Sequence, residues 1–191
     1  MVANQTAEIE LTLIQQAGNG DSNAFGELVR RHYASVVNVV YRMCGDANLA
    51  EDMAQETFLR AWSNLASFRP KASLRHWLYR IAVNATLDVL RRKTEEPVED
   101  DFIQMVSDQS PGPEATVIEK EQAADLQQKL KSLPEASRTV LVLREFGELS
   151  YQEIATVLEI PVGTVMSRLN YARTRLRELL KEQIHEEYIH A

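Results

Sequence analysis

Apolar positions recur at helical spacing along most of this chain, and none alternate over the length a strand or hairpin needs. The clearest pattern lies between Ser150 and Arg177. Ile154, Ala155 and Leu158 form a short apolar stripe, and Val165, Leu169, Ala172 and Leu176 then repeat at i, i+4, i+7 and i+11, one buried helical face. Glu159-Ile160-Pro161 between them reads as a turn, because Pro161 has no N–H to continue the first helix but suits the start of the next. Ser150 followed three residues later by Glu153 is a capping box, which sets where the first helix begins. The predicted unit is a helix-turn-helix. The other side of its second helix carries Met166, Ser167, Asn170, Tyr171 and Thr174, with Arg168, Arg173, Arg175 and Arg177 at its flanks. Such a helix suits the major groove of DNA. The competing reading is an amphipathic hairpin with a solvated basic face.

Upstream, the periodicity predicts helices over Ala7 to Ala17, Ser22 to near Gly45, Leu49 to Leu65, and Leu74 to Lys93. In the second of these, Phe25, Leu28, Val29, Val36, Val37, Val40 and Cys44 share a face. Phe68 to Ser73 contains Pro70 and reads as a loop. Residues 94–118 hold three prolines, a glycine and seven acidic residues with no Lys or Arg, the composition of an extended linker, apart from a short apolar group at Phe102, Ile103, Met105 and Val106. A further helix begins near Glu119, and another starts at Leu133-Pro134-Glu135 and ends at Gly147. The expected fold is therefore all-α: two small helical domains, 1–93 and 119–191, joined by an acidic flexible linker, the second a helix-turn-helix domain.

Composition narrows the class. The 191 residues are 45% hydrophobic and 26% charged, with no apolar run of membrane-spanning length. The polar opening MVANQTAEIE lacks a signal peptide's basic start and apolar core, and the single cysteine, Cys44, excludes an internal disulfide; both point to the cytoplasm. A net charge of −7 looks wrong for a DNA binder until it is divided along the chain. Residues 22–93 hold 11 basic and 6 acidic residues, and five basic residues face one acid between Thr164 and Lys181. Local patches, not the total, set phosphate affinity.

Two further constellations stand out. In DMAQETFLRAW, Asp52 to Trp62, the residues Ala54, Phe58, Ala61 and Trp62 fall on an inward face, while Asp52, Gln55, Glu56 and Arg60 form a polar stripe. That stripe is either a solvated face with a Glu56–Arg60 pair or a docking surface for a partner helix. Beyond it, aromatic and basic residues interleave: Trp62, Phe68, Arg69, Lys71, Arg75, His76, Trp77, Tyr79 and Arg80, then Arg91-Arg92-Lys93. Rings stack on bases while cations track phosphates, so the mixture fits unpaired nucleic acid; core packing of Trp62 and Trp77 is the alternative.

Taken together, these segments resemble the extracytoplasmic-function (ECF) group of bacterial RNA polymerase sigma factors over nearly the whole chain. DMAQETFLRAW resembles the group's polymerase-binding helix. FRPKASLRHWLYRIAVNATLDVLRRK resembles the promoter-melting loop and the helix for the −10 element. LPEASRTVLVLREFGELSYQEIATVLEIPVGTVMSRLNYARTRLR resembles the domain that reads the −35 element.

The resemblance implies that Asp52, Gln55, Glu56 and Arg60 contact the clamp helices of the polymerase's largest subunit, with the flap of the second-largest subunit as a further partner surface. It implies that the loop carrying Phe68, Arg69, Lys71 and Ser73 captures a flipped −10 base, and that Trp77, Arg80, Asn84, Arg91 and Arg92 hold the single strand or its upstream phosphates. Met166, Ser167, Asn170 and Tyr171 match base-facing positions at −35, and Thr164, Arg168, Arg173 and Arg175 match phosphate contacts. The linker would lie in the polymerase's active-site and RNA-exit channels, and an anti-sigma factor would cover the polymerase-binding surfaces. No enzyme activity, cofactor, metal, small-molecule substrate or membrane insertion is implied.

Two departures from the group's pattern matter. Glu159 stands where glycine is usual in the turn, which predicts strain in a left-handed conformation. Met166 and Tyr171 replace basic side chains on the reading face, which predicts few guanine contacts.

Rival readings are an enzyme, a one-component regulator and a helical adaptor. No Walker loop, dinucleotide fingerprint, serine elbow or HExxH-like spacing supports the first, and the four histidines read as surface or capping residues. A regulator explains the helix-turn-helix but not the basic aromatic loop.

Overall fold

A computed structural model describes residues 2–69, 73–95 and 117–189 of the chain. Every regular element among them is helical: α1 (Val2–Gly18), α2 (Ser22–Cys44), α3 (Ala47–Asn64), α4 (Leu74–Glu95), α5 (Val117–Lys131), α6 (Glu135–Glu145), α7 (Tyr151–Leu158) and α8 (Val162–Ile189), with a 3₁₀ turn at Leu65–Ser67 after α3. This is the all-α fold expected. The first helix begins earlier than its apolar pattern, and α4 continues to Glu95, so residues 96–116 of the predicted linker lie outside the described residues.

Local chemistry places the helix ends. Asp21 caps α2, its carboxylate accepting from the N–H groups of Asn23 and Ala24 at 2.9 and 3.1 Å. Asp46 caps α3 by accepting from Leu49 N–H at 3.0 Å. Between these helices Gly45 is left-handed at φ 67°, and a Cβ there would lie 1.8 Å from Lys131 Cε. The left-handed backbone favours glycine, while the Lys131 side-chain end could move aside, and the contact shows how close α5 comes to α2 at this corner.

α2 is the central helix, packed on α1, α3 and α4. Leu28, Val36 and Val40 are buried as the periodicity predicts, and so are Val39 and Met43. The second unit packs here too: α5 and α6 lie against α2, and α7 lies against α4. A single cluster of buried side chains therefore runs from Ile14 through Met43 to Leu130, Leu143, Ile154 and Leu169. Buried Gln127 ties the units together by donating from Nε2 to Tyr41 O at 3.2 Å, while Arg42 Nη1 donates to its Oε1 at 3.2 Å.

The helix-turn-helix forms as its residues dictate. Ser150 Oγ accepts from Glu153 N–H at 3.3 Å, and Glu153 Oε2 accepts from Ser150 N–H at 2.7 Å, completing the capping box. Those bonds hold the Glu153 carboxyl below its ordinary pKa, the Ser150 backbone N–H being the leading cause. Glu159 is left-handed at φ 54°, ψ 41°, the strain expected where glycine is usual. Pro161 precedes α8 and accepts from Thr164 N–H at 2.9 Å. Val165, Leu169 and Ala172 are buried and Leu176 is partly so, so α8 is anchored by the predicted stripe.

Candidate functional site

The first surface lies on α3. Asp52, Gln55 and Arg60 are exposed, and Glu56 is partly so. Arg60 Nε donates to Glu56 Oε1 at 2.6 Å, an i,i+4 pair that fixes both side chains along the helix. Trp62 does not face inward as its spacing predicts: it is 38% exposed and tilts against the ring of Phe25, with centroids 4.8 Å apart. Leu59 is 65% exposed. Together Phe25, Val29, Tyr33, Phe58, Leu59 and Trp62 line an open groove of about 440 Å³, with Gln55 at its rim. The polar stripe thus borders an apolar trough. Sequence reading missed Leu59, although a leucine three residues after Glu56 and four after Gln55 sits on their polar face and has no packing role to explain it.

A second surface is formed by the loop before α4 and by α4 itself. Phe68 and Trp77 pack with ring centroids 5.1 Å apart. Both line a cavity of about 540 Å³ together with Arg69, Ser73, His76 and Arg80, and its far wall is α7. Arg69, Ser73, Arg80, Asn84, Arg91 and Arg92 are exposed, while Lys71 lies outside the described residues. Ser73 also has a structural task, since its Oγ accepts from His76 N–H at 3.3 Å and so caps α4.

Two ion pairs and a histidine–carboxylate contact cross from this surface to the second unit. Arg75 Nη1 lies 3.3 Å from Glu148 Oε2, His76 Nε2 lies 3.4 Å from Glu153 Oε1, and Arg80 Nη2 donates to Glu159 Oε1. Burial holds the His76 pKa below its ordinary value despite the nearby Glu153 carboxylate. His32, likewise mostly covered, bonds Glu10 at 2.7 Å between α1 and α2. These two histidines join helices, where the sequence implied surface or capping residues.

The third surface is α8. Met166 is 54% exposed and Tyr171 51%, and Ser167 and Asn170 are also exposed, so the four predicted base-facing residues share the side opposite Val165, Leu169 and Ala172. Ser167 Oγ donates to Thr164 O at 3.0 Å, leaving its lone pairs outward. Thr164 and Arg168 are half-buried at the edge of this face. Arg173 Nη2 donates to Glu145 Oε1 at 2.7 Å, which raises its already high pKa, and Arg175 Nη1 donates to Glu178 Oε2 at 3.1 Å. Both arginines are about half exposed, so their outer N–H groups remain available to phosphate.

Comparison with known proteins agrees with this layout. The Sigma-70 region 2 family matches residues 28–96, and the Sigma-70 region 4 family matches residues 123–176. The ECF RNA polymerase sigma factor SigW of Bacillus subtilis is 38% identical over 179 residues, covering 88% of this chain and 95% of the relative. The RNA polymerase sigma-H factor of Pseudomonas aeruginosa is 35% identical over 190 residues, covering 95% and 98%. Among solved structures, CnrH in complex with the cytosolic domain of CnrY superposes with a TM-score of 0.68 at 29% identity, over 91% of this chain and 98% of that one. The sigma factor RpoE in complex with the anti-sigma factor NepR from Bartonella quintana gives 0.69 at 25% identity, over 82% and 96%. A region 2 helical unit, a region 4 helix-turn-helix and relatives that span nearly the whole chain make this protein a member of the sigma-70 family of bacterial transcription initiation factors, in its ECF group.

Proposed function

We propose that this sigma factor divides promoter recognition among the three surfaces described above, with residues 1–93 docking on core polymerase and opening the −10 region and residues 119–191 reading the −35 element. The observation that carries the reading is α8, where a buried stripe fixes the helix and holds Met166, Ser167, Asn170 and Tyr171 outward together. Asn170 is suited to a bidentate contact with adenine, and Met166 offers an apolar contact to a thymine methyl. Arg168, Arg173 and Arg175 sit where they add affinity without sequence choice. On α4 and the loop before it, Phe68 and Trp77 would receive an unstacked base, while Arg69, Lys71, Ser73, Arg80, Asn84, Arg91 and Arg92 would follow the strand. On α3, Asp52, Gln55, Glu56 and Arg60 would pair with polar groups of the clamp helices, with Leu59 and Trp62 supplying apolar contact.

Acting by binding alone, the chain has no catalytic chemistry of its own and works in the cytoplasm, where core polymerase is found. No helix among the described residues is long and apolar enough to cross a membrane. An anti-sigma factor is the natural antagonist, covering the docking groove. The test is run-off transcription from a promoter library by sigma-free core polymerase, with and without the chain. Transcripts from a discrete promoter set that need the chain are expected. Core binding without chain-dependent transcripts would refute the promoter-reading assignment.

A further inference from the structure

Among the described residues, the non-glycine positions with positive φ are Glu148 at 57° and Glu159 at 54°. Left-handed backbone is unfavourable for a residue with a Cβ, so such residues persist where the surroundings hold them. These two glutamates share a second property. Glu148 pairs with Arg75 and Glu159 with Arg80, so both strained carboxylates reach across to α4. Between them Glu153, already fixed by the capping box, faces His76. Three successive acidic side chains of the helix-turn-helix unit thus meet three successive basic side chains on one stretch of α4.

The cost of closing falls on the nucleic-acid face. Arg80 spends its guanidinium on Glu159, and α7 forms the wall of the cavity that holds Phe68 and Trp77, placing Gln152, Glu153, Thr156 and Val157 over it. We infer that Glu148 and Glu159 are an electrostatic latch: their carboxylates occupy the phosphate-seeking cations of α4 and hold α7 over the base cavity when the chain is free. Its consequence for DNA rests on α4 being the nucleic-acid face proposed above. The carboxylates of both pairs are largely exposed and the arginines partly so, so each rung is weak and screened by salt, as a latch that a polyanion or polymerase must displace needs to be. The contact of α5 and α6 with α2, an apolar cluster with the Arg42–Gln127 bond, is a separate layer and serves as the hinge.

The test uses the full chain with Cys44→Ala, Ser63→Cys and Arg177→Cys, spin-labelled to report the distance between α3 and α8. At low salt one short, narrow distance distribution is expected. Glu148→Gln with Glu159→Gln removes charge and keeps side-chain size, and should give a longer, broader distribution, as should high salt on the parent chain. Exchanging charges with Arg80→Glu and Glu159→Arg should restore the short distance lost in Arg80→Glu alone. A doubly substituted chain as compact as its parent would overturn the latch. Fluorescence anisotropy with a single-stranded, thymine- and adenine-rich oligonucleotide then separates the two ideas. Opening should tighten binding by roughly five- to tenfold, the effect of losing two exposed pairs. Longer distances without tighter binding support the latch and overturn the assignment of α4 as the nucleic-acid face.

Discussion

Leu59→Ala is the sharpest check on the docking surface, because it separates binding from folding. Burying a whole leucine side chain contributes about 1.5–3 kcal/mol. Leu59 is 65% exposed in the free chain, so covering it with a partner contributes about 1–2 kcal/mol, less the part kept by the alanine Cβ. Since each 1.4 kcal/mol is about tenfold in affinity, Leu59→Ala should weaken the complex with core polymerase by roughly five- to twentyfold. Alanine is the better helix former and little packing is lost, so the melting temperature should hold to within a few degrees. Phe58→Ala is the contrast: with 6% of its surface exposed, its loss should destabilise the chain by about 3–5 kcal/mol. Competition of unlabelled variants against a fluorescent parent chain on core polymerase, at one fixed ionic strength, measures the first effect, and thermal unfolding followed by circular dichroism measures the second. An unchanged affinity for a well-folded Leu59→Ala chain would refute the groove as a docking site.

Four further outcomes are expected. Ser150→Ala removes the acceptor from the capping box and should cost about 1 kcal/mol, lowering the melting temperature by roughly 2–4 °C. Glu153 has a lower pKa folded than unfolded, so its stabilisation is complete above the unfolded carboxylate value near 4.3 and is lost as pH falls through the folded value. Glu153→Gln should therefore flatten the fall in melting temperature between about pH 5 and pH 3, and an unaltered pH profile would contradict the shift. Asn170→Ala or Tyr171→Ala should change −35 preference by about 1–3 kcal/mol per lost base contact, measured by selection of bound sequences with the holoenzyme. Arg173→Ala should weaken binding evenly across sequences and lower the salt slope by about one, a sequence-selective loss being the contrary result.

Much of the architecture was legible because it rests on short-range rules. The capping box at Ser150 and Glu153, the turn before Pro161 and the stripe Val165, Leu169, Ala172 each involve residues within one or two helical turns, where spacing alone decides the geometry. The exposed face of α8 followed from the same stripe. What escaped involves partners distant in the chain. The packing of α5 and α6 on α2, and of α7 on α4, joins segments that no local pattern connects. His76 gave no sign of its contact with Glu153, 77 positions later. Trp62 stays half out because its ring lies across Phe25 at the rim of a groove, a place that helical periodicity alone cannot distinguish from the core.

Glu159 shows how a local misfit can carry a long-range meaning. Judged from its own turn, glycine is the better residue: it adopts φ 54° freely, whereas glutamate meets its Cβ penalty there, and Glu148 repeats the conflict at φ 57°. A chain whose local and global preferences agree would have neither. Two independent misfits of the same residue type, each with its carboxylate on a different arginine of α4, are poorly explained by accidents of packing, because glycine would fill both turns without them. They are well explained if the carboxylates matter to the contact between the units. The same pairs bear on net charge. Acidic side chains set against the cations of a strand-binding face lower its affinity for DNA at large, while those cations stay in place for the moment the units part. At this contact the facing acids offset local basicity, as a chain closed until it is engaged requires, while the total acidity rests mainly on residues 94–118.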